Sequence, residues 1–186
     1  MKMYYYYGVM GSSKTANALM TKFNFEEHGK KVILMKPSID DRDGIHTVKS
    51  RIGIDADAVL IHPDSSVKAI LNDEKDIYLI VVDEAQFLSK DQVNELRDLV
   101  DNGISVMCYG LKTDFMGNLF EGSKRLLEVS DTIREIKSMC KCGRKAIINA
   151  RYADGKIVYS GDSSIDIGGD DKYIALCYQC WRKGII

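Results

Sequence analysis

The sequence predicts an α/β fold, a mainly parallel sheet covered by helices, with a small C-terminal lobe of different character. Three observations carry this prediction. Short apolar runs at 3–7, 31–36, 77–82, 104–109 and 132–136 alternate with helical patterns at 16–27, 64–71, 89–100 and 122–129. Strands separated by helices pair in parallel, because the chain must cross over before it rejoins the sheet. The first run leads through a glycine-containing loop into a helix. From Ser138 onward the chain becomes rich in turn residues and is bracketed by two close cysteine pairs. The 186 residues therefore divide into an expected α/β domain, 1–137, and an appended lobe, 138–186.

The first strand, Met3 followed by four tyrosines, presents alternating faces. Gly8, Val9, Met10, Gly11, Ser12, Ser13, Lys14 and Thr15 come next. Strand, glycine loop, Lys-Thr and helix together are the context of a phosphate-binding P-loop. Glycines let the backbone turn so that successive N–H groups point at phosphate oxygens, and the helix N-terminus adds partial positive charge. Lys14 would reach the outer phosphates of ATP, and the Thr15 hydroxyl would ligate Mg²⁺. The usual glycine before the lysine is Ser13 here. Its Cβ makes a positive φ less comfortable. The plainer alternative is a flexible strand-to-helix turn.

The first helix carries Ala18, Leu19, Met20, Phe23 and Phe25, places His28 at its C-terminus and stops at Gly29. The strand at 31–36 ends at Pro37. Residues 38–50 are polar, hold Asp40, Asp41, Arg42, Asp43 and His46, and read as a solvated loop over the site. A helix is expected over 64–71, after Pro63. The most apolar strand, 77–82, ends in Asp83-Glu84. An acid there sits where open α/β sheets place ligands. Asp83 is a candidate Mg²⁺ holder and Glu84 a candidate base. Either could instead cap the next turn, but Ser89 and Gln92 already supply a capping box for the helix that Gly103 stops. Cys108, inside the strand at 104–109, reads as a small core hydrophobe. Phe115 and Phe120 lie in the loop 111–121, where they either stack on a base or pack on the core.

In the C-terminal lobe, Cys140 and Cys142 are one residue apart, and Cys177 and Cys180 are two apart. Between them lie β-like runs at 146–152 and 156–160 around Ala153-Asp154-Gly155. Two close pairs around a hairpin are the pattern of a four-thiolate structural zinc site, one Zn²⁺ per chain. A segment this short cannot build its own core, so metal would supply its folding energy.

The net charge of −1, with acids and bases interspersed, argues against a non-specific nucleic-acid binder. No apolar run reaches the length of a membrane span. Met1-Lys2-Met3-Tyr4 lacks the pattern of a secretory leader, so a cytoplasmic location is expected, where thiols stay reduced.

Taken together, the P-loop with Met10, Lys36-Pro37 with Asp40 and Arg42, the run 83–87, Tyr109-Gly110-Leu111 through Phe115, Arg151, Ile167-Gly168-Gly169 with Tyr173, and both cysteine pairs resemble the type II thymidine kinases. This group includes bacterial and vertebrate cytosolic enzymes. The resemblance covers nearly the whole chain and departs from the family at Ser13. It implies transfer of the γ-phosphoryl group of ATP to the 5′-hydroxyl of thymidine or deoxyuridine. By position it makes Glu84 the general base, and it gives Lys14, Thr15, Asp83 and Gln86 to the phosphates and Mg²⁺. It sets Phe87, Phe115 and Phe120 around the thymine and makes the four cysteines zinc ligands. Residues 160–173, with Ser164, Ile165, Asp166, Ile167, Gly168 and Tyr173, resemble the family's lasso loop, whose backbone holds the base. A homotetramer with feedback inhibition by thymidine triphosphate is implied as well.

Two other classes fit parts of the pattern. A P-loop ATPase that moves a partner would use Gln86 to orient water; ADP release without a nucleoside would mark it. A zinc-ribbon module binding nucleic acid would need a basic face between Arg134 and Arg151. Asp154, Asp162, Asp166, Asp170 and Asp171 work against that face.

Overall fold

The computed structural model describes residues 1–40, 44–161 and 172–186. In chain order, β1 (Met3–Tyr7) leads to α1 (Lys14–Glu27) and β2 (Val32–Pro37). A hairpin of β3 (Thr47–Lys49) and β4 (Asp55–Asp57) precedes β5 (Val59–Ile61), α2 (Val67–Ile70) and β6 (Leu79–Val82). A single 3₁₀ turn, Ala85–Phe87, connects to α3 (Lys90–Asp101), then β7 (Ser105–Gly110), α4 (Glu121–Val129) and β8 (Thr132–Glu135).

The main sheet has six strands in the order β5-β2-β6-β7-β1-β8, and every pairing in it is parallel. A parallel sheet is buried on both faces, which is why its central strands read as continuous apolar runs. In β6 all of Leu79, Ile80, Val81 and Val82 are fully buried. Ile80 and Val82 join Met3, Tyr5, Val106 and Cys108 in one core with Val93, Leu96 and Leu126 of α3 and α4. Leu79 and Val81 join Leu34 and Tyr109 in the opposite core with Ala18 and Leu19 of α1. Cys108 is thus a core residue, and burial pushes its thiol far up.

The α/β pattern stands, with local corrections. The sheet has six strands where four or five are legible, because β5 is a three-residue strand with no alternation to read. Part of the expected loop 38–50 is strand β3, paired with β4 through Thr47–Asp57, Val48–Ala56 and Lys49–Asp55. Of its two strands only Val48 is buried, so composition resembles a loop. The expected helix 64–71 shrinks to α2. Ser66 caps it by accepting from the Ala69 N–H, and Ser65 N–H is spent on the His62 carbonyl in a turn. Both halves of the capping box on α3 form, Ser89 with the Gln92 N–H and the Gln92 side chain with the Ser89 N–H.

The lobe that follows contains β9 (Ser138–Met139) paired with β10 (Lys145–Ala146), and a three-stranded antiparallel sheet. The latter joins β11 (Ile148–Ala153) to β12 (Lys156–Val158) and β13 (Tyr173–Leu176). Asp154 and Gly155 turn the β11–β12 hairpin with φ of 49° and 72°, the paired positive values that suit a tight hairpin. Helix α5 (Tyr178–Lys183) closes the chain, with Cys177 as its N-cap.

Candidate active site

Strand order puts β7 between β1 and β6, so the loop after β1 and the acids after β6 meet across the C-terminal end of β7. The Gly8 N–H bonds the Gly110 carbonyl there at 3.3 Å. A Cβ on Gly8 would run into Ser12 Oγ and stand 2.5 Å from the Ile136 carbonyl, so only glycine lets the loop leave the strand this way.

Two residues of the loop take left-handed backbone, Gly11 at φ 73° and Ser13 at φ 65°. Ser13 adopts the conformation that the missing glycine would adopt, and its side chain makes no cap to α1. The loop geometry is kept at a conformational cost of roughly 1–2 kcal/mol. Lys14 is buried and donates from Nζ to the Val9 carbonyl at 2.9 Å. Ser12 Oγ is buried without a hydrogen-bond partner among the described residues.

Asp83 is 3% exposed, lies beside the Thr15 side chain, and has one oxygen, Oδ1, without a partner among the described residues. Burial, and next the charge of Glu84, push its carboxyl up to about 7, against the neighbouring Thr15 hydroxyl and the Lys14 charge. A buried carboxylate with an unmet oxygen, beside a threonine hydroxyl, fits the donor set of a hard divalent cation such as Mg²⁺. Lys14, Thr15 and Asp83 thus lie together.

Glu84 is half-buried and left-handed at φ 50°, an uncommon state for a non-glycine residue and one that concentrates at functional sites. Its Oε2 accepts from Gln86 Nε2 at 2.5 Å. The Gln86 side chain is itself 2% exposed, and its Oε1 accepts the Leu111 N–H at 2.9 Å. Gly110 makes room for this amide, since a Cβ there would lie 2.7 Å from Gln86 Oε1. The backbone donor at Leu111 fixes which end of the amide faces Glu84. Gln86 therefore holds Glu84 rather than standing over the loop on its own.

The aromatic residues separate. Phe115 is 2% exposed, with the Arg151 guanidinium 5.5 Å from its ring centre. Phe87 and Phe120 are half-buried, meet edge to face at 5.8 Å, and line a cavity of about 310 Å³ together with Gln86, Gln92 and Asp114. Tyr173 opens β13 opposite Arg151 of β11. Asp40 is buried just after β2. Ser164, Ile165, Asp166, Ile167 and Gly168 of the expected lasso, and Arg42, lie outside the described residues.

Sequence reasoning gave three residues no role. Arg51, at the turn of the β3–β4 hairpin, brings Nη1 within 3.5 Å of the Cβ position at Gly11. Lys36 is 1% exposed and donates to the Gly44 and Thr47 carbonyls at 2.8 Å each, fastening the segment that leads to that hairpin. Asn149 accepts the Met10 N–H at 2.7 Å. A polar residue inside the apolar run 146–152 was the one available signal for it.

The sulfur atoms of Cys140, Cys142, Cys177 and Cys180 all lie within 4.8 Å of one another, and none is in a disulfide. Cys142 Sγ and Cys177 Sγ are 3.6 Å apart. Tetrahedral zinc with bonds of about 2.3 Å sets its sulfurs about 3.8 Å apart. The Cys180 N–H donates to Cys177 Sγ at 3.4 Å and, as the leading cause, lowers that thiol, while the neighbouring Cys142 sulfur raises Cys180. A thiolate is the form a metal takes. Four thiols with no further ligand among the described residues are the donor set expected of a closed, structural metal site.

The family model described as thymidine kinase matches residues 1–181. The chain is 43% identical over 189 residues to a thymidine kinase of Vibrio cholerae, covering 99% of this chain and 98% of that one. It is 45% identical over 179 residues to one from Streptococcus pyogenes, covering 95% and 94%. It is 42% identical over 187 residues to one from Haemophilus influenzae, covering 98% and 96%. Among solved structures, a Pif1 helicase from Candida albicans is similar at a TM-score of 0.45 and 14% identity, over 74% of this chain and 36% of that one, too slight a likeness to build on. The matched residues span both the P-loop domain and the cysteine lobe, and the chain belongs to the thymidine kinase family.

Proposed function

We propose that the chain transfers the γ-phosphoryl group of ATP to the 5′-hydroxyl of thymidine, with Glu84 as general base. The observation that carries the reading is the meeting of the P-loop lysine with the Asp83-Glu84 pair at the end of β6, with Thr15 beside Asp83. The loop N–H groups and Lys14 hold the phosphates. Glu84, steadied by Gln86, accepts the proton of the attacking hydroxyl. Mg²⁺ bound by Thr15 and Asp83 would neutralise phosphate charge. The work left to the protein is alignment of donor and acceptor, and exclusion of water that would compete for the phosphoryl group.

Phe87, Phe115 and Phe120 are proposed to border the thymine, and the lasso backbone with Tyr173 to hold its edge. The four reduced thiols suit one structural Zn²⁺ and a cytoplasmic setting. No helix among the described residues is long and apolar enough to cross a membrane. The family resemblance further proposes a homotetramer inhibited by thymidine triphosphate. Sedimentation of the purified protein tests the first, and titration with the triphosphate the second.

The test of the reading is ADP release with and without nucleoside. Release that needs thymidine supports a kinase. Equal release without any nucleoside would instead favour an ATPase that moves a partner.

A further inference from the structure

The P-loop is gripped from the cysteine lobe at two consecutive residues. The Val9 side chain is buried in the lobe's own core, one cluster with Cys140, Ala146, Ile148, Leu176, Cys177 and Cys180. It shares no cluster with the two cores of the main sheet. The next residue, Met10, gives its N–H to Asn149 Oδ1 at 2.7 Å. Asn149 is 4% exposed and lies on β11, and its Nδ2 makes a long 3.5 Å contact with the Thr113 carbonyl. Its strand leads straight to the thiols. Ile148 pairs with Leu176, and the Ile147 N–H donates to the Leu176 carbonyl, one residue before Cys177.

The same Val9 carries the carbonyl that receives Lys14 Nζ. One residue therefore has its side chain in the lobe and its backbone under the P-loop lysine. Two independent grips, one apolar and one a buried hydrogen bond, fix the first turn of the loop. Neither belongs to the sheet from which the loop springs. Loops have little to hold their shape except such contacts, because few of their backbone groups pair internally.

We propose that Asn149 is a positioning residue for the P-loop, and that the metal-braced lobe sets affinity for ATP through Asn149 and Val9. This rests on the reading of residues 8–15 as the phosphate cradle. The four-thiol site then acts on nucleotide binding through this contact, besides keeping the lobe folded.

The experiment measures, by calorimetry, the dissociation constants of a non-hydrolysable ATP analogue and of thymidine. The full-length proteins are wild type, Asn149→Leu, Val9→Ala and Lys14→Met, with zinc content by elemental analysis and Tm for each. Loss of a buried hydrogen bond predicts a roughly tenfold or greater weakening of ATP analogue binding in Asn149→Leu. Thymidine affinity should stay within about twofold, the scale of error expected for an uncoupled site. Zinc content should not change. Val9→Ala should weaken the analogue in the same direction through the apolar grip, and serves if Asn149→Leu does not fold. Wild-type protein stripped of zinc by a chelator should lose analogue affinity at least as strongly, and thymidine affinity with it, because the same lobe carries Tyr173. Wild-type ATP affinity in the folded variants overturns the proposal, as does an equal loss of ATP and thymidine affinity in those variants, and as does full analogue affinity in the zinc-stripped protein. Normal analogue binding by Lys14→Met would instead overturn the cradle reading, so the two failures are told apart.

Discussion

Gln86 Nε2 donates to Glu84 Oε2 at 2.5 Å while Gln86 Oε1 accepts from the Leu111 N–H, so one buried amide ties the proposed base to the end of β7. Gln86→Leu removes both bonds and leaves the Leu111 donor unmet, a destabilisation of about 1–3 kcal/mol. It should also lower kcat more than it raises the KM for thymidine, because Glu84 loses its orientation. In a Glu84→Gln background the same change should add little further loss of kcat. Fully additive effects on kcat would show that Gln86 acts independently of Glu84.

Zinc is expected at one per chain, held by Cys140, Cys142, Cys177 and Cys180, whose sulfurs cluster within 4.8 Å. Cys140→Ser should disorder the C-terminal lobe before the main sheet melts, since the sheet has two cores of its own. Cys108→Ala should leave metal content unchanged. Elemental analysis of natively purified protein decides it, and absence of zinc would contradict the assignment.

Ser13→Gly should stabilise the chain. Serine at φ 65° costs roughly 1–2 kcal/mol, and glycine loses about 0.5–1 of that gain through its freer unfolded state. A net gain of about 0.5–1 kcal/mol corresponds to a rise in Tm of roughly 1–4 °C for a domain of this size. A lower Tm would mean that the serine makes a contribution beyond its backbone.

Deoxycytidine should be phosphorylated at least about 10²-fold less efficiently than thymidine. A backbone carbonyl placed to receive thymine N3–H faces the bare N3 of cytosine instead, and unpaired buried polar groups cost roughly 1–3 kcal/mol each. Comparison of kcat/KM for the two nucleosides tests this; parity would remove hydrogen-bond readout of the base.

Most of the frame was legible because its signals are local. Leu79 to Val82 can only be a buried strand, Ser89 and Gln92 announce a helix start, and the cysteine spacing needs no fold to be read. The strain at Ser13 was legible too, as a side chain standing where a positive φ is wanted. The β3–β4 hairpin was not, because only Val48 among its strand residues is buried and the pattern has no apolar face. Asn149, Arg51 and Gln86 acquire their places from partners 139, about 40 and 25 residues away in sequence, and no spacing rule reports such contacts. The burial of Phe115, at 2% exposure, shows only in the fold.

Single-turnover transfer of labelled γ-phosphate from ATP to thymidine, in wild type and Glu84→Gln, tests the central claim most directly. Wild type should yield labelled thymidine monophosphate. Glu84→Gln keeps the shape of the side chain, so it should bind both substrates nearly as well and slow the transfer by about 10²–10⁴, the range for loss of a general base. Transfer by the variant at near the wild-type rate, with both substrates bound, would contradict the account.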